Sequence, residues 1–436
     1  MRGAPSQEER RGMSSGWQAE AQLALYGKQY LTRRGFVRCH QQESEHLSPC
    51  SLDGKCVLIA GVSTQGVGFE IACFAASMGA DVFIVTTPQL GSQVTSSLSQ
   101  LSGSQRIFAL EGDLSICDEV ARIVHQFCQA SHTLDRLVCC TLDKHAPLSK
   151  VLTREGHETV FATHLLVGRY LLTNLLLPFL RAAENARVVF LVSSEFYLTK
   201  FPALEVAASE GKQPYSARRN MAYAQRGTVL LAERLAHEER TITFVCANPG
   251  YVAGGPTLHT SAPEHDLKPP PSSSVQAPPA IDAADDHELR TAQQGADGTC
   301  WLLVAPAAQG QKPQVVSGRV YLDGRLQSAH IAGAFFSQGW ATKNSSAEVS
   351  EMMAGLQRRA PPRWFASATA LPVAALPLSE QCTDSSAAAL GSSAQPAATA
   401  LLNPRGSRDG AGPALGTGVR AQLWLRRRLD AFLCCT

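Results

Sequence analysis

The sequence has little that would suit it to a metal site, a nucleic-acid partner or an export route. Its thirteen cysteines include no CxxC pair and no cysteine–histidine spacing of the zinc-ribbon kind, so we expect no metal site and a reducing compartment. The 39 Lys and Arg residues nearly balance 37 Asp and Glu residues without forming a large basic block, which argues against nucleic-acid binding. The N-terminus leads into charged residues and not an apolar stretch, so we predict a soluble, cytoplasmic protein.

Membrane-spanning character is also missing from the most apolar segment, Leu165 to Leu180, because it contains Arg169 and Pro178. We expect it to be a core helix. The C-terminal residues 423–436 combine basic and apolar residues with two final cysteines. A solvated tail end is the favoured interpretation of this segment, and contact with an anionic membrane is the alternative.

Large aliphatic residues concentrate in the middle of the chain, which predicts one large domain at residues 51–340. A low-complexity insertion rich in Pro, Ser, Ala and Asp interrupts this domain at about 257–287. We expect residues 1–50 to form an N-terminal helical arm whose first residues are disordered. Residues 341–436 are rich in Ala, Pro and Ser and are expected to be mostly disordered.

Apolar runs typical of strands alternate with helical patterns from residue 55 onward. Strands are predicted near 55–60, 81–86, 106–111, 134–140, 186–192, 241–247 and 317–322, and helices near 66–78, 116–130, 154–181, 221–238 and 289–304. This alternation predicts an α/β fold with a doubly wound, Rossmann-type, mostly parallel seven-stranded sheet and helices on both faces.

A glycine loop at residues 61–68 joins the first apolar strand to the first helix. Backbone N–H groups at a helix N-terminus can hold a pyrophosphate where no Cβ blocks its approach. An ordinary glycine turn is the alternative for the string alone, but its place between a strand and a helix favours dinucleotide binding. The candidate residues are Gly61, Ser63, Gly66, Val67 and Gly68.

Together with several later motifs, the chain resembles the short-chain dehydrogenase/reductase (SDR) family from residue 17 to about 340, apart from the insertion. The motifs include Val192-Ser193-Ser194, Tyr223-Ala224-Gln225, Asn248-Pro249-Gly250 and Gln294-Gly295-Ala296-Asp297. The resemblance implies an NAD- or NADP-dependent oxidoreductase acting on a small carbonyl or alcohol, by analogy a lipid-like one. It assigns Tyr223 as acid–base and Ser194 as the partner of the reacting oxygen. It assigns cofactor contacts to Asp113, Leu114, Pro249 and Gly250.

The family's lysine, which lies four residues after the tyrosine and favours its phenolate, has no counterpart in this sequence, where Gly227 occupies that position. Two residues are missing just after Gln225 relative to the family. Arg226, at i+3 from Tyr223, is the candidate replacement cation, with a different reach and geometry. Tyr215 with Arg219 at i+4 is a rival pair, set aside because it lies too far upstream of Asn248-Pro249-Gly250.

Other departures alter the remaining parts of the family's site. Cys139-Cys140-Thr141-Leu142 replaces Asn-Asn-Ala-Gly, and His164 falls at or beside the proton-relay asparagine, with one extra residue near Val167. Gly254 stands where the family has a threonine, although Thr257 is close. Thr86-Thr87-Pro88 offers neither the acid that selects NAD nor the arginine that selects NADP, so the cofactor form is left open.

The sequence therefore favours an SDR-type oxidoreductase. The alternative is a degenerate member that keeps the fold and acts by binding a cofactor or a partner without catalysis, or a sequence in which a gene-prediction error removed two residues.

Overall fold

The computed structural model of the protein describes residues 23, 26–41, 51–141, 147, 149–211, 213–253, 289–305, 315–330 and 342–360. The predicted insertion, Gly254 and Thr257 lie outside these residues, as do the first residues of the arm and the tail beyond residue 360.

One eight-stranded sheet forms the centre of the described chain, with the strand order β3-β2-β1-β4-β5-β6-β7-β8. The strands are β1 (Cys56–Ala60), β2 (Asp81–Thr86), β3 (Ile107–Glu111), β4 (Arg136–Cys139), β5 (Arg187–Leu191), β6 (Thr243–Asn248), β7 (Arg319–Leu322) and β8 (Arg325–Gln327). All neighbours pair in parallel except β7 and β8. The predicted doubly wound fold is confirmed, and its strand order reverses between β1 and β4.

The predicted count of seven strands is wrong by one, because the chain adds an antiparallel edge strand. Asp323 and Gly324 connect β7 to β8 and have φ angles of +53° and +75°. Positive φ at both central residues is typical of a two-residue hairpin turn, in which Asp-Gly is favoured. Strand β8 covers the edge that β7 would otherwise expose.

Helical segments cover both faces of the sheet. They are α1 (Gly27–Leu31, a π-helical turn), α2 (Arg33–Gln41), α3 (Val67–Ser77), α4 (Gly91–Ser102), α5 (Cys117–Ala130), α6 (Thr159–Phe161), α7 (Leu172–Ala182), α8 (Leu204–Ala207), α9 (Ala217–Glu238), α10 (Ala292–Val304) and α11 (Ser346–Arg359). Alternate strand residues divide into two buried clusters. Val57 and Ile84 pack with α3, α4 and α10, whereas Leu58 and Phe83 pack with α5, α7 and α9.

The helix Thr159–Ala182 is continuous, because a π-helical stretch, Ala162–Leu171, joins α6 to α7. Insertion of one residue into an α-helix is commonly absorbed as a π-bulge. The stretch encloses Val167, where the sequence shows one residue more than the family pattern. By length and composition this is the one helix of the described residues that could cross a membrane, with mean hydropathy 1.4, but 89% of it is buried inside the fold.

Two segments extend the domain beyond the alternating pattern. At the N-terminal side, residues 27–41 form α1 and α2, and Tyr26 donates a hydrogen bond to Gln327 Oε1 of β8 at 3.0 Å. At the C-terminal side, α11 packs against α9 and buries Met352 and Leu356. The described part of the chain therefore includes a helix beyond residue 340 that packs on α9.

The buried side chain of Arg290 makes several of the contacts that hold the arm containing α1 and α2 to the sheet edge. Its guanidinium donates to the carbonyl oxygens of Tyr30 at 2.7 Å and Leu31 at 2.9 Å, and it forms a bidentate ion pair with Asp323. The Arg290 side chain is fully buried and that of Asp323 is 4% exposed. Because Arg290 also lies 3.4 Å from the Pro249 carbonyl, the arm and the end of β6 are fixed together.

Candidate active site

The glycine loop after β1 is open at its tip. Gly61 and Gly66 have φ angles of +92° and +101°, which only glycine adopts without strain. Residues 63–65 are exposed, and nothing lies within 4 Å of where a Cβ on Gly66 would point. Gly66 also forms the N-cap of α3. Open space at Gly66 therefore adjoins the N-terminus of α3 among the described residues, where an anion site would lie.

The end of β6 and the start of α10 lie next to the glycine loop. A Cβ on Gly295 would lie 2.5 Å from Val252 Cγ2 and 3.1 Å from Val67 Cγ2. Gly250 has φ +75° and donates its N–H to Asn248 Oδ1 at 2.9 Å. The structure thus brings the loop residue Val67 close to the segment containing Pro249 and Gly250, although they are far apart in sequence.

Asp113 and Leu114, which the resemblance assigns to the adenine ring, follow β3. The Asp113 carboxylate accepts a hydrogen bond from the Ser115 N–H at 2.8 Å, and its side chain is exposed. Leu114 is only 7% exposed. These contacts hold the turn in place and leave the Asp113 side chain able to reach a ligand at the sheet edge.

Ser194 lies where β5 ends, at the start of a short 3₁₀ helix, Ser194–Tyr197. Its hydroxyl accepts a hydrogen bond from Asn248 Nδ2 at 3.1 Å, and the residue is 4% exposed. Because Asn248 also binds the Gly250 N–H, it connects Ser194 to the Pro249-Gly250 turn. The structure therefore joins two of the predicted site elements, the serine and the turn after β6.

Tyr223 occupies a different face of α9 from the residue that contacts the end of β5. Gln225 is fully buried and accepts a hydrogen bond from the Ser193 N–H at 3.3 Å. Two residues correspond to a rotation of about 200° around an α-helix, so Tyr223 lies on the side opposite to Gln225. Among the described residues, the recorded hydrogen-bond partner of the Ser194 hydroxyl is Asn248, not Tyr223.

The electrostatics around Tyr223 do not favour its phenolate. Partial burial raises the pKa of Tyr223, and the nearby Arg219 offsets this only in part. A neutral tyrosine is a weak acid near pH 7 and needs an adjacent cation to act as an acid–base group. In this environment the phenol stays protonated.

Arg226 is directed toward the chain that follows β8. It donates to the Ala329 carbonyl at 2.9 Å and lies 3.5 Å from His330 Nε2. Burial lowers the pKa of Arg226 to about 10. With its guanidinium committed to residues 329 and 330, Arg226 is not placed as the predicted replacement for the family's lysine.

The comparisons with known proteins agree with this architecture. A family model described as short chain dehydrogenase matches residues 55–265. Dehydrogenase/reductase SDR family member 12 of Bos taurus is 29% identical over 309 residues, covering 69% of this chain and 86% of that protein. Retinol dehydrogenase 14 of Mus musculus is 25% identical over 347 residues, covering 76% of this chain and 96% of that protein.

The chain is similar to the SDR family over residues 55–265, just under half of its length. The predicted resemblance to that family is confirmed. Among solved structures, one of an uncharacterized protein from Mycobacterium Paratuberculosis is similar over 71% of this chain and 95% of its own, with a TM-score of 0.49 and 19% identity.

The base of the glycine loop is filled by Cys140. Cys140 stands in the Asn-Asn-Ala-Gly segment, and its thiol lies 3.1 Å from the Ala60 carbonyl oxygen. A Cβ on Gly68 would come within 2.7 Å of this sulfur. Burial raises the pKa of the Cys140 thiol to about 12, so it stays neutral and acts as packing beneath the loop.

The sequence analysis treated Arg169 only as an interruption of an apolar helix, but Arg169 is fully buried and contacts the same Thr141 carbonyl oxygen as His164. His164 Nδ1 lies 3.0 Å from the Thr141 carbonyl oxygen. Arg169 donates to Thr228 Oγ1 at 2.7 Å and to the Leu191 carbonyl at 2.6 Å. Burial lowers the pKa of Arg169 to about 10. Arg169 thus connects the π-helical stretch, α9 and the end of β5.

The two members of the rival pair, Tyr215 and Arg219, each bind a different partner. The Tyr215 hydroxyl donates to Glu158 Oε1 at 3.2 Å, and Arg219 donates to the carbonyl of Pro214. Burial and the Glu158 carboxylate raise the pKa of Tyr215 above its usual range. Tyr215 therefore serves to hold the Glu158 turn and does not replace the SDR acid–base tyrosine.

Glu195, directly after Ser194, is a second polar residue that sequence reasoning missed. Its Oε2 atom is buried without a hydrogen-bond partner among the described residues. Burial raises the pKa of Glu195, with Arg218 partly opposing the shift, and Glu195 in turn raises the pKa of Tyr251. An acid directly after the catalytic-serine position was the available signal. Glu195 is a second candidate proton donor or acceptor beside Ser194.

One cluster of metal-ligating residue types occurs within the described chain, at Cys117, Glu155 and His157, whose ligand atoms lie within 4.8 Å of one another. Glu155 uses both carboxylate oxygens to accept hydrogen bonds from the Cys117 and Asp118 N–H groups, at 2.8 and 3.1 Å. These groups begin α5, where a helix dipole favours an anion. The position of Glu155 in this cluster is explained by its role as a cap on the N-terminus of α5.

Proposed function

We propose that this protein binds NAD or NADP at the cleft between the glycine loop and the end of β6, as an SDR-type oxidoreductase acting on a carbonyl or alcohol. The observation that carries the proposal is the open tip of the loop at Gly66, which leaves the N-terminus of α3 accessible. Such an opening suits a pyrophosphate, whose charge the N–H groups and the helix dipole stabilise.

The residues around the loop fit a dinucleotide. The N–H groups of residues 61–68 would hold its pyrophosphate, and Asp113 and Leu114 its adenine. Pro249, Gly250 and Val67 would enclose the nicotinamide end. Glycine is needed at Gly295 because a Cβ there would meet Val252 and Val67 across the cleft. The nicotinamide, when bound, supplies the redox step of the family.

The protein's own contribution at the substrate oxygen is a hydroxyl and a proton donor. Ser194, whose hydroxyl accepts a hydrogen bond from Asn248, would donate to that oxygen. Tyr223 is the proton donor that the family match assigns, and Glu195 is the acid next to Ser194. Because both side chains have a raised pKa, each would be protonated over a wider pH range than a free side chain.

The names of the relatives narrow the substrate class. Retinol dehydrogenase 14 is named for a lipid-like alcohol, and by analogy we include retinoids with small aldehydes and ketones among the substrates to test. The protein is proposed to remain in the cytoplasm.

A second candidate function is binding without turnover. The observation that favours it is Gln225, buried against the Ser193 N–H, while Tyr223 faces the other way and Arg226 is bound to residues 329 and 330. This is the arrangement expected when two residues are lost from α9. In this case the protein would use its cofactor or a partner only as a ligand.

Titration of the full chain with NADH and NADPH, followed by fluorescence and calorimetry, tests cofactor binding. Gly66→Val is expected to abolish binding by covering the loop. Gly103→Val is a matched control, because Gly103 also has a positive φ, of +73°, and open space around it, but caps α4. Equal loss in both variants, or no binding by the unmodified protein, would contradict the proposal.

Turnover of aldehydes, ketones and retinoids then separates the two candidates. Tyr223→Phe should abolish activity if Tyr223 is the proton donor, whereas Glu195→Gln should do so if Glu195 is. Tyr215→Phe, which only loses a bond to Glu158, serves as the control. Binding without turnover would support the second candidate, and inserting two residues with a lysine after Gln225 should then produce activity.

A further inference from the structure

The carboxyl ends of β2 and β3 place two polar residues side by side. Thr86 is the last residue of β2, Glu111 is the last residue of β3, and the two are direct neighbours in the parallel pairing. In a βαβ dinucleotide unit the adenosine ribose lies at the end of the second strand. This pair therefore borders the ribose position, provided that the proposed cofactor binding holds.

Both side chains face the same layer of helices. Successive side chains in a strand point to opposite faces of the sheet. Val82 and Ile84 on β2, and Ile107 on β3, belong to the buried cluster that contains α3 and α4. Thr86 and Glu111 share their alternation, so they point to the side of the sheet on which α3 and the glycine loop lie.

Glu111 is held in a fixed position at the start of α4. Its Oε1 accepts a hydrogen bond from the Gly91 N–H at 3.0 Å, and a Cβ at residue 91 would collide with the same oxygen. The chain thus has a glycine where this carboxylate needs room. The N-terminus of α4, which could otherwise attract an anion, is already occupied by a negative charge.

Thr86 adds an unsatisfied polar atom at the same edge. Its Oγ1 is buried without a hydrogen-bond partner among the described residues, and the residue is only 2% exposed. A buried hydroxyl without a partner is unfavourable, and a ligand hydroxyl would satisfy it. The edge therefore offers an acceptor, Glu111, and a donor or acceptor, Thr86.

Basic side chains are lacking where a phosphate on the ribose would lie. Residues 61–67 and 86–102 contain no Lys or Arg. Arg122 donates to the backbone carbonyl of Glu111 at 2.9 Å, but it belongs to α5, on the other face of the sheet, and lies 3.8 Å from Glu119. A 2′-phosphate would meet the Glu111 carboxylate without a cation beside it.

We propose that Thr86 and Glu111 form a ribose seat that selects NAD(H) over NADP(H), a choice that Thr86-Thr87-Pro88 alone leaves open. The Glu111 carboxylate accepts a hydrogen bond from the ribose hydroxyls and repels a 2′-phosphate. Repulsion between two like charges about 5 Å apart near a protein surface weakens ligand affinity by about 100-fold, compared with a ligand that lacks the second charge. The specificity is thus carried by β3 and not by the usual position after β2.

Parallel equilibrium titrations of the full chain with NADH and NADPH test this inference. We expect NADH to bind about 100-fold more tightly at low ionic strength. Glu111→Gln, which keeps an acceptor for the Gly91 N–H, should tighten NADPH binding and reduce the preference below about tenfold. Glu184→Gln, at an exposed site, removes the same charge and should leave the preference unchanged.

Thr86→Val provides a second variant that does not depend on Glu111. Replacing an unpartnered buried hydroxyl by a methyl group should maintain or raise stability, and it should weaken NADH binding about tenfold. Equal affinities for the two cofactors, or a preference for NADPH, would overturn the ribose seat while the proposed function stands. An unchanged preference in Glu111→Gln would also overturn it. If neither cofactor binds, the proposed function fails and this inference fails with it.

Discussion

The buried ion pair between Arg290 and Asp323 allows a sharp test of how the N-terminal arm is held. The substitution Asp323→Asn removes the negative charge and leaves the shape nearly unchanged. Asp323 has φ +53°, a conformation that asparagine adopts as readily as aspartate, so the hairpin turn is not penalised. The change therefore isolates the charge from the backbone.

The magnitude follows from the burial of both partners. Removing one member of a buried pair costs about 3–5 kcal/mol, because the remaining charge is left without compensation. The Arg290 guanidinium would still donate to the carbonyl oxygens of Tyr30 and Leu31, and asparagine would still accept one bond. We therefore expect a loss at the lower end, about 3 kcal/mol in the free energy of unfolding.

Urea denaturation followed by circular dichroism measures this loss as a lower midpoint with an unchanged slope. Glu238→Gln is the control, because it breaks the exposed Arg234–Glu238 pair and should cost less than about 0.5 kcal/mol. Limited proteolysis should cut the arm faster in Asp323→Asn. A change below about 1 kcal/mol would refute the argument that this pair is desolvated and holds the arm.

Three further predictions concern other buried groups. Burial lowers the pKa of His330 to about 4, and Arg226 adds to the shift, so the unfolded chain binds a proton that the folded chain does not. The free energy of unfolding should therefore fall as pH drops from about 6.5 to 4. Urea midpoints across this range should decline less in His330→Gln, and an equal decline would contradict this prediction. Glu195 has a raised pKa, so its burial costs stability as pH rises above its unfolded value. Glu195→Gln should therefore melt higher than the unmodified protein at pH 7, with the difference shrinking toward pH 4.5, and a lower melting temperature at pH 7 would argue against burial as the cause. Arg169→Met should destabilise the fold by about 2–4 kcal/mol, because it leaves carbonyl and hydroxyl groups unpaired. The exposed control Arg234→Met should not, and equal unfolding midpoints for the two variants would count against this role of Arg169.

Much of the sheet could be predicted because its strands are fully buried and therefore read as short apolar runs. Three of the elements that were not predicted show the physical reasons. Helix α4 is rich in Ser and Thr, which have low helix propensity, and it buries only Val94 and Leu98 besides its first glycine. Strand β8 has three residues and no alternation. Helix α11 lies within residues 341–436, whose Ala-, Pro- and Ser-rich composition predicted disorder, and it is stabilised by its capping box and by packing on α9.

The candidate site could be predicted only where it depends on local sequence. The glycine loop and the serine at the end of β5 lie where the motifs indicate. The face on which Tyr223 lies could not be read from a motif, because it depends on how α9 as a whole is rotated against the sheet. Similarly, the contact of Arg226 with Ala329 joins residues about a hundred positions apart.

The long sequence separation between Arg290 and the arm has a consequence for synthesis of the protein. The carbonyl groups of Tyr30 and Leu31 leave the ribosome some 260 residues before the guanidinium that binds them. The Leu31 carbonyl also accepts a hydrogen bond from the Tyr251 N–H at 2.8 Å, and Tyr251 itself follows β6. Both partners of the arm are therefore translated after strands β1 to β6. Docking of the arm requires that most of the sheet has been made, which places this step late in folding.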